Sequence, residues 1–182
     1  QSPSKSVSKI NLHTFETFTT QIFQTNDFDS FATLSEASSA VLLSKSFKKT
    51  ELKYFSNYKN EIPRGTLDRI KNVITQYKLN GISPEQILSE AKKLDGSEKL
   101  KATDIANVYE NYLAYCKELN VYETGDVYSE VLRFDQKNFV LRFNNSFSGI
   151  RTIVINGFDE FTQPEIDIIN RTADVEGIEL FV

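Results

Sequence analysis

The sequence predicts a predominantly helical α/β fold, in which about three strands of a parallel sheet carry a large all-helical insertion. Apolar residues recur three or four positions apart through most of the middle of the 182-residue chain, the spacing of amphipathic helices. Near the C-terminus a β-branched run, Ile150 to Ile155, is followed by a helix start and by a second apolar run. Because a crossover helix joins neighbouring parallel strands, that order predicts a strand, a helix and a strand in one sheet.

The first elements are a strand and a helix. Ser8 to Thr14 alternate polar and apolar side chains, which favours a short strand. Thr14 is a candidate N-cap for a helix that begins at Phe15. Two further helices are predicted, from Leu34 to Phe47 and from Glu51 to Tyr58.

The helices of the middle carry explicit boundary signals. One begins near Thr66 and ends before Gly81, as a C-cap glycine predicts. Ser83-Pro84-Glu85-Gln86 is a helix start with a capping box and proline at the first helical position. After a break at Gly96, the longest helix is predicted from about Leu100 to Leu119.

The C-terminal elements return to α/β order. Asp126 is a candidate cap for a helix through Leu132, and Phe139 to Phe143 fits a strand or a helix. The run Ile150 to Ile155 suits a strand buried on both faces. Thr162 begins a helix with a capping box that continues to about Ala173, and a final strand is predicted from Gly177.

The composition excludes several classes of protein. No apolar run approaches the roughly 18 to 20 residues of a membrane span, and the polar start lacks the apolar stretch of a signal peptide. With Cys116 the only cysteine and His13 the only histidine, we expect no disulfide and no metal site. We therefore expect a soluble, cytoplasmic protein with no membrane partner. The absence of methionine predicts a piece of a longer protein.

Charge is segregated along the chain. Residues 44–78 contain nine bases and three acids, whereas residues 151–182 contain two bases and seven acids. The basic stretch interleaves aromatic side chains, which suits phosphate contacts and base stacking, although lysines on a solvated helix face are also ordinary. The DNA-binding candidates in it are Lys48, Lys49, Lys53 and Arg69.

Polar residues follow the apolar strand near the C-terminus, in Ile153-Val154-Ile155-Asn156-Gly157-Phe158-Asp159-Glu160-Phe161-Thr162. The carboxyl ends of parallel strands are where α/β proteins bind ligands. Spacing by itself favours a plainer interpretation, in which Gly157 makes a turn, Asp159 and Glu160 are solvated and Thr162 caps a helix.

The same segment resembles a motif of superfamily I helicases of the UvrD and Rep type, in which an apolar strand ends in an Asp-Glu pair. It is closer to the helicase-like AddB subunit (RexB in some bacteria), whose degenerate motif reads apolar strand, Asp-Gly-Phe, two residues, Phe-Thr, two residues, Glu. Phe158, Phe161, Thr162 and Glu165 all fall on that pattern.

Two other segments are similar to the family in the same order. Ile10 to Phe15 resembles a strand that contacts single-stranded DNA, which implies His13, Thr14 and Phe15 as further DNA-binding candidates. Asp104 to Tyr112, continuing to Asp126-Val127-Tyr128, resembles helices with a "Tyr-x-x-Tyr … Asp" pattern.

The resemblance implies a RecA-like sheet in three parts: residues 1–30 begin the α/β domain, 31–147 form the helical insertion, and 148–182 return to the sheet. The degenerate Walker B element is then Asn156, Gly157, Asp159 and Glu160. Active relatives need both carboxylates of the pair, to hold Mg²⁺ and to position water. Gly157 cannot replace one, and no Gly-Lys-Ser/Thr phosphate loop occurs, so we expect no ATP hydrolysis, catalytic residue or cofactor here.

The resemblance therefore implies a non-catalytic, helicase-like part of a DNA end-processing exonuclease or helicase subunit in double-strand break repair. It would bind or guide DNA, as a single strand or a duplex end, and scaffold a nuclease or helicase partner. The parent would carry a PD-(D/E)XK nuclease domain. The alternatives are a helical protein-interaction domain with no DNA role, and an active nucleotide-binding domain completed by sequence not present here.

Overall fold

A computed structural model describes residues 10–25, 32–58 and 61–182 and confirms the predominantly helical α/β fold. The described helices are α1 (Phe15–Phe23), α2 (Glu36–Lys49), α3 (Arg64–Leu79), α4 (Pro84–Ala91), α5 (Gly96–Glu118), α6 (Thr124–Arg133), α7 (Gln136–Ser146) and α8 (Gln163–Ala173). The described strands are β1 (Ala32–Thr33), β2 (Val121–Tyr122), β3 (Thr152–Val154) and β4 (Glu179–Phe181). Both pairings, β1 with β2 and β3 with β4, are parallel. No described helix combines the length and the apolarity needed to cross a membrane.

Two hydrophobic cores organise these elements. The first core lies between α2, α3, α4 and α5, with Phe47, Ile74 and Tyr112 among its most deeply buried side chains. The second core lies between α1, α6, α7 and α8, and one face of the β3–β4 sheet packs on it. Helices α6 and α7 belong to the predicted helical insertion, residues 31–147. They nevertheless pack with α1 and α8, which belong to the two predicted parts of the α/β domain. The three-part domain division stays a prediction.

Three of the helix caps predicted from the sequence, at Thr14, Ser83 and Thr162, are confirmed. The fourth is wrong, because α6 begins at Thr124 with Glu123 as its N-cap, and Asp126 lies inside the first turn. The Thr14 hydroxyl accepts the Thr17 N–H at 3.1 Å at the start of α1. At α4, the Ser83 hydroxyl accepts the Gln86 N–H at 3.3 Å, and the Gln86 side chain accepts the Ser83 N–H at 2.7 Å. A capping box also opens α8 at Thr162. Each cap depends on residues within four positions, which is why the sequence reveals it.

Two elements predicted before α3 are wrong. Of the strand predicted from Ser8 to Thr14, the described part, Ile10 to Thr14, is not in a strand, and Ile10 and Leu12 are exposed. Residues 8 and 9 lie outside the described residues. The helix predicted from Glu51 to Tyr58 is reduced to one 3₁₀ turn, Ser56–Tyr58. Before that turn, the backbone N–H groups of Lys53, Tyr54 and Phe55 bond to the distant Asp104 carboxylate instead of to helical carbonyls.

Strand β3 is not buried on both faces, contrary to the prediction. Its register pairs Thr152 with Glu179 and Val154 with Phe181, and these four side chains share an open face of the sheet. Val154 is 69% exposed and Phe181 is 56% exposed. Packing on the second core therefore covers only the other face. The segment that fitted a strand or a helix, Phe139 to Phe143, lies in α7.

A buried charge cluster joins the two cores where α3 meets α6. The Lys78 ammonium lies 2.7 Å from a carboxylate oxygen of Glu123 and 2.7 Å from one of Asp126, and it sits over the Tyr112 ring. Tyr112 donates its hydroxyl to the other Glu123 oxygen at 2.9 Å. Gly125 allows this close approach of α6 to α3, because a Cβ at its position would lie only 2.5 Å from the Lys78 backbone and would clash. We call Lys78, Glu123 and Asp126 the buried triad after its buried lysine; the two carboxylate side chains are 17% and 15% exposed.

Candidate nucleic-acid interface

The last turn of α2 presents lysines to solvent. Phe47 and Ser46 are buried in the first core, whereas Lys48 and Lys49, the next two residues, are exposed. Two positive charges at the C-terminal end of a helix interact favourably with its macrodipole. The lysine positions are therefore set by α2 itself.

The segment after α2 is held by a carboxylate from α5. Asp104 is 1% exposed, and its oxygens accept the backbone N–H groups of Lys53 at 3.0 Å, Tyr54 at 2.8 Å and Phe55 at 3.0 Å. The Phe55 side chain is buried, whereas the Lys53 and Tyr54 side chains point to solvent. The buried Leu52 and Phe55 side chains anchor the turn on either side of Lys53 and Tyr54, which face solvent.

Two exposed tyrosines flank the buried Phe55 ring. Tyr54 is 43% exposed and lies edge-on to Phe55 at 4.8 Å between centroids, and Tyr58 is 36% exposed at 6.3 Å. Tyr54 directly follows Lys53, and Tyr58 lies four positions further along the chain. We call Lys48, Lys49, Lys53, Tyr54 and Tyr58 the basic-aromatic surface.

A polar cavity of about 370 Å³ lies beside this surface, between the end of α2 and α5. Lys49 and Lys53 line it, and Asn107 and Asn111 add hydrogen-bonding side chains. The Lys49 ammonium also lies 5.2 Å from the Tyr115 ring centroid. The acids of the wall are Glu51, Asp104 and Glu110, so the cavity is mixed in charge.

The basic stretch read from the sequence is not one continuous basic surface. Arg69 is exposed on α3 but does not line the cavity. Lys78 is 3% exposed and belongs to the buried triad. Burial opposes its charged form, but Asp126 and Glu123 outweigh burial and raise the pKa of Lys78 above its ordinary 10.5. Only part of the counted positive charge therefore faces solvent.

The second group of DNA-binding candidates lies at the start of α1. His13 is exposed, with its ring edge-on to Phe147 at 5.5 Å. The Thr14 side chain caps α1. Phe15 is half-buried and lies edge-on to Tyr128 at 5.5 Å and to Phe158 at 6.4 Å. His13 and Thr14 are both exposed, but the Thr14 hydroxyl is already engaged as the cap.

The segment predicted to be a degenerate Walker B element forms an exposed turn between β3 and α8. Gly157 has a φ of +87°, a conformation that glycine adopts without strain, and Asn156, Asp159 and Glu160 are exposed. Phe158 stacks on Phe161 at 4.9 Å and also meets Phe15. Two segments that resemble helicase motifs are therefore in contact, although more than 130 positions separate them in the sequence. Among the described residues, no group of three or more His, Cys, Asp or Glu side chains is placed to hold a metal ion.

Sequence reasoning missed the roles of Asp104 and Lys78. The available signal was spacing, since Asp104 lies four and eight positions before Val108 and Tyr112 and so shares the apolar face of α5. A carboxylate on an apolar face needs a specific set of donors. The donors come from residues about 50 positions away, which the spacing cannot reveal.

The chain matches the model of a known protein family. The model of the AddB N-terminal family, described as "ADDB, N-terminal", matches residues 1–175. The search of curated proteins found no match to this chain. Because the family model covers nearly the whole chain, the AddB resemblance inferred from its motifs is confirmed at the level of the family. The chain belongs to the AddB N-terminal family and so represents part of an AddB-type DNA repair subunit.

Proposed function

We propose that this chain binds and guides DNA without hydrolysing ATP, within a subunit of an exonuclease or helicase complex that processes DNA ends in double-strand break repair. The observation that carries the proposal is the basic-aromatic surface. Its three lysines are exposed, and Tyr54 and Tyr58 expose aromatic rings beside them. Lysines neutralise phosphates, and tyrosine rings stack on unpaired bases.

The degenerate Walker B turn supports the non-catalytic part of the proposal. Gly157 brings no side chain to the position where active helicases of this type carry a carboxylate. Asp159 and Glu160 follow the strand on an exposed turn. A carboxylate that positions water must be held in a defined place, which an exposed turn does not provide.

Membership of the AddB family supports the partner part of the proposal. We propose that the partner is a nuclease or helicase subunit and that the parent protein carries a PD-(D/E)XK nuclease domain. In this arrangement the chain described here contributes DNA contact and a scaffold. Binding by the isolated chain is then expected to be weak and strongly dependent on salt.

Salt-dependent binding of single-stranded DNA to the 182-residue chain tests the proposal. We expect affinity for oligothymidine to fall steeply with salt. Changing Lys48, Lys49 and Lys53 together to alanine should reduce the slope of log K against log salt by about 2, at about 0.7 for each lost phosphate contact. The matched control changes three exposed bases elsewhere, Lys117, Lys137 and Arg151, and should leave most of the slope intact.

A helical protein-interaction domain is the second candidate, and the open face of the β3–β4 sheet favours it. Val154 and Phe181 are neighbours in register, and both are exposed, which is typical of surfaces that contact another protein. An absence of DNA binding at low salt would overturn the first proposal and favour this one. Equal slopes in the lysine variant and its control would locate DNA contact away from the basic-aromatic surface.

A further inference from the structure

We infer that Asp104 is a positioning residue, which holds Lys53 and Tyr54 in a DNA-binding arrangement before DNA arrives. The inference rests on the proposed function, because it assigns a role in DNA contact to a residue whose side chain is almost fully buried. Asp104 is 1% exposed, and a carboxylate would repel phosphate in any case. Its effect must pass through the turn that it binds.

The geometry is that of a carboxylate in a backbone nest. Three successive N–H groups, those of Lys53, Tyr54 and Phe55, converge on Asp104, and the Lys53 N–H reaches both oxygens at 3.0 Å. Within the described part of the chain, Asp104 has no ion-pair partner. The N–H dipoles are therefore what compensates its buried charge.

The nest restricts the turn more than burial of Phe55 does by itself. Phe55 fixes one point of the turn through its ring, which meets Phe47 at 6.0 Å. The three hydrogen bonds also fix the peptide planes on either side of Lys53 and Tyr54, and so the directions in which those side chains leave the backbone. A loop ordered before binding loses less conformational entropy when its ligand arrives.

Lys48 is the natural internal control. Like Lys53 it is an exposed lysine of the basic-aromatic surface, but it lies in the last turn of α2 and its backbone has no hydrogen bond to Asp104. If Asp104 acts by positioning, its loss should impair the contribution of Lys53 and leave that of Lys48 unchanged. If Asp104 only stabilises the fold, both lysines should be affected alike.

Two double-mutant cycles test the inference with single-stranded oligothymidine and the 182-residue chain, well below the melting temperature of each variant. Asp104→Asn keeps the size of the side chain but removes the charge that the nest compensates. We expect Asp104→Asn and Lys53→Ala each to weaken binding by about fivefold, as for an exposed charge pair. The double variant Asp104→Asn with Lys53→Ala should bind DNA scarcely more weakly than either single variant. In the double variant Asp104→Asn with Lys48→Ala, the two fold-losses of affinity should multiply, because independent sites act additively in free energy.

The outcomes separate this inference from the proposed function. If the unchanged chain binds no DNA at low salt, the proposed function fails and this inference fails with it. If the unchanged chain binds and the effects multiply equally in both cycles, the function stands and the positioning role is wrong.

If the Asp104→Asn variant does not fold, a measurement on the unchanged chain can test the inference instead. Amide hydrogen exchange of Lys53, Tyr54 and Phe55 should be slow without DNA and equally slow with it. Protection that develops only with DNA would show that the turn is not formed in advance, and would overturn the inference.

Discussion

Lys78 illustrates how a single side chain can be read wrongly from composition and correctly from its contacts. Its ammonium is enclosed by two carboxylates and the Tyr112 ring at the junction of the two cores. Removing one partner of a buried ion pair leaves uncompensated charge, which costs more than the pair contributes when complete. Lys78 therefore contributes to the stability of the fold.

Changing Lys78 to Met should lower the free energy of unfolding by about 3–5 kcal/mol, because Glu123 and Asp126 would keep their charges without a cation. Urea denaturation followed by circular dichroism measures this. Lys137→Met, at an exposed position in α7, is the control and should change stability by less than about 0.5 kcal/mol. Equal stability of the two variants would show that the triad contributes nothing.

Gly125 and Gly65 offer a matched pair at the same scale. Both lie in the first turn of a helix, but a Cβ at Gly125 would lie 2.5 Å from the Lys78 backbone, whereas a Cβ at Gly65 meets nothing within 4 Å. Gly125→Ala should destabilise the chain by about 1–3 kcal/mol through overpacking. Gly65→Ala should stabilise it by about 0.4–1 kcal/mol, because alanine restricts the unfolded chain. Thermal unfolding of the two variants should therefore shift in opposite directions.

At the scale of elements, the helices differ in what secures their first turns. The capping boxes of α4 and α8 are local and pair an alcohol with a longer side chain. The capping box of α6 instead uses two carboxylates, those of Glu123 and Asp126. Like charges so close repel each other, and the Lys78 ammonium compensates them. The start of α6 therefore depends on α3.

Changing Thr162 to Ala should destabilise the chain by about 1 kcal/mol, because the first turn of α8 loses a side-chain acceptor. Thr162→Ser keeps the hydroxyl and should cost less than half as much. Chemical denaturation of both variants makes the comparison. A serine variant as unstable as the alanine variant would mean that the methyl packing, and not the cap, matters at this position.

At the scale of the whole molecule, the two cores meet at a site rich in groups that ionise at alkaline pH. Burial, with the nearby carboxylates, raises the pKa of Tyr112 and Tyr109 above their ordinary 10.0. Burial also raises the pKa of the Cys116 thiol from 9.0 to about 11. Together with Lys78, these groups hold their protons more tightly in the folded chain than in the unfolded chain.

Each group whose pKa is raised on folding contributes its full stabilisation below its unfolded-state pKa and loses it as pH rises towards its folded-state pKa. The free energy of unfolding should therefore be nearly constant between pH 7 and about 9 and should decline at higher pH. The decline should begin near pH 9, where the unfolded thiol ionises, and steepen near pH 10 as the tyrosines and Lys78 join. Urea midpoints measured across this range test the prediction. Cys116→Ala should delay the onset to about pH 10. An unchanged onset in that variant would exclude Cys116 as its cause.

The features that the sequence by itself determined are local or compositional. It determined the caps at Thr14, Ser83 and Thr162, because each bond joins residues three positions apart. The spacing of apolar residues also identified the long helix α5, and the motifs identified the AddB family, because both are patterns along the chain.

The tertiary structure decided the features whose partners are distant. It placed Lys78 between carboxylates 45 and 48 positions away, and it turned Glu51 to Phe55 away from a helix by means of Asp104, about 50 positions on. It also left Val154 exposed, because one face of a two-stranded sheet lacks a covering layer among the described residues. Burial and hydrogen bonding are satisfied by whatever folding brings together, so a residue's own neighbours in sequence cannot decide them.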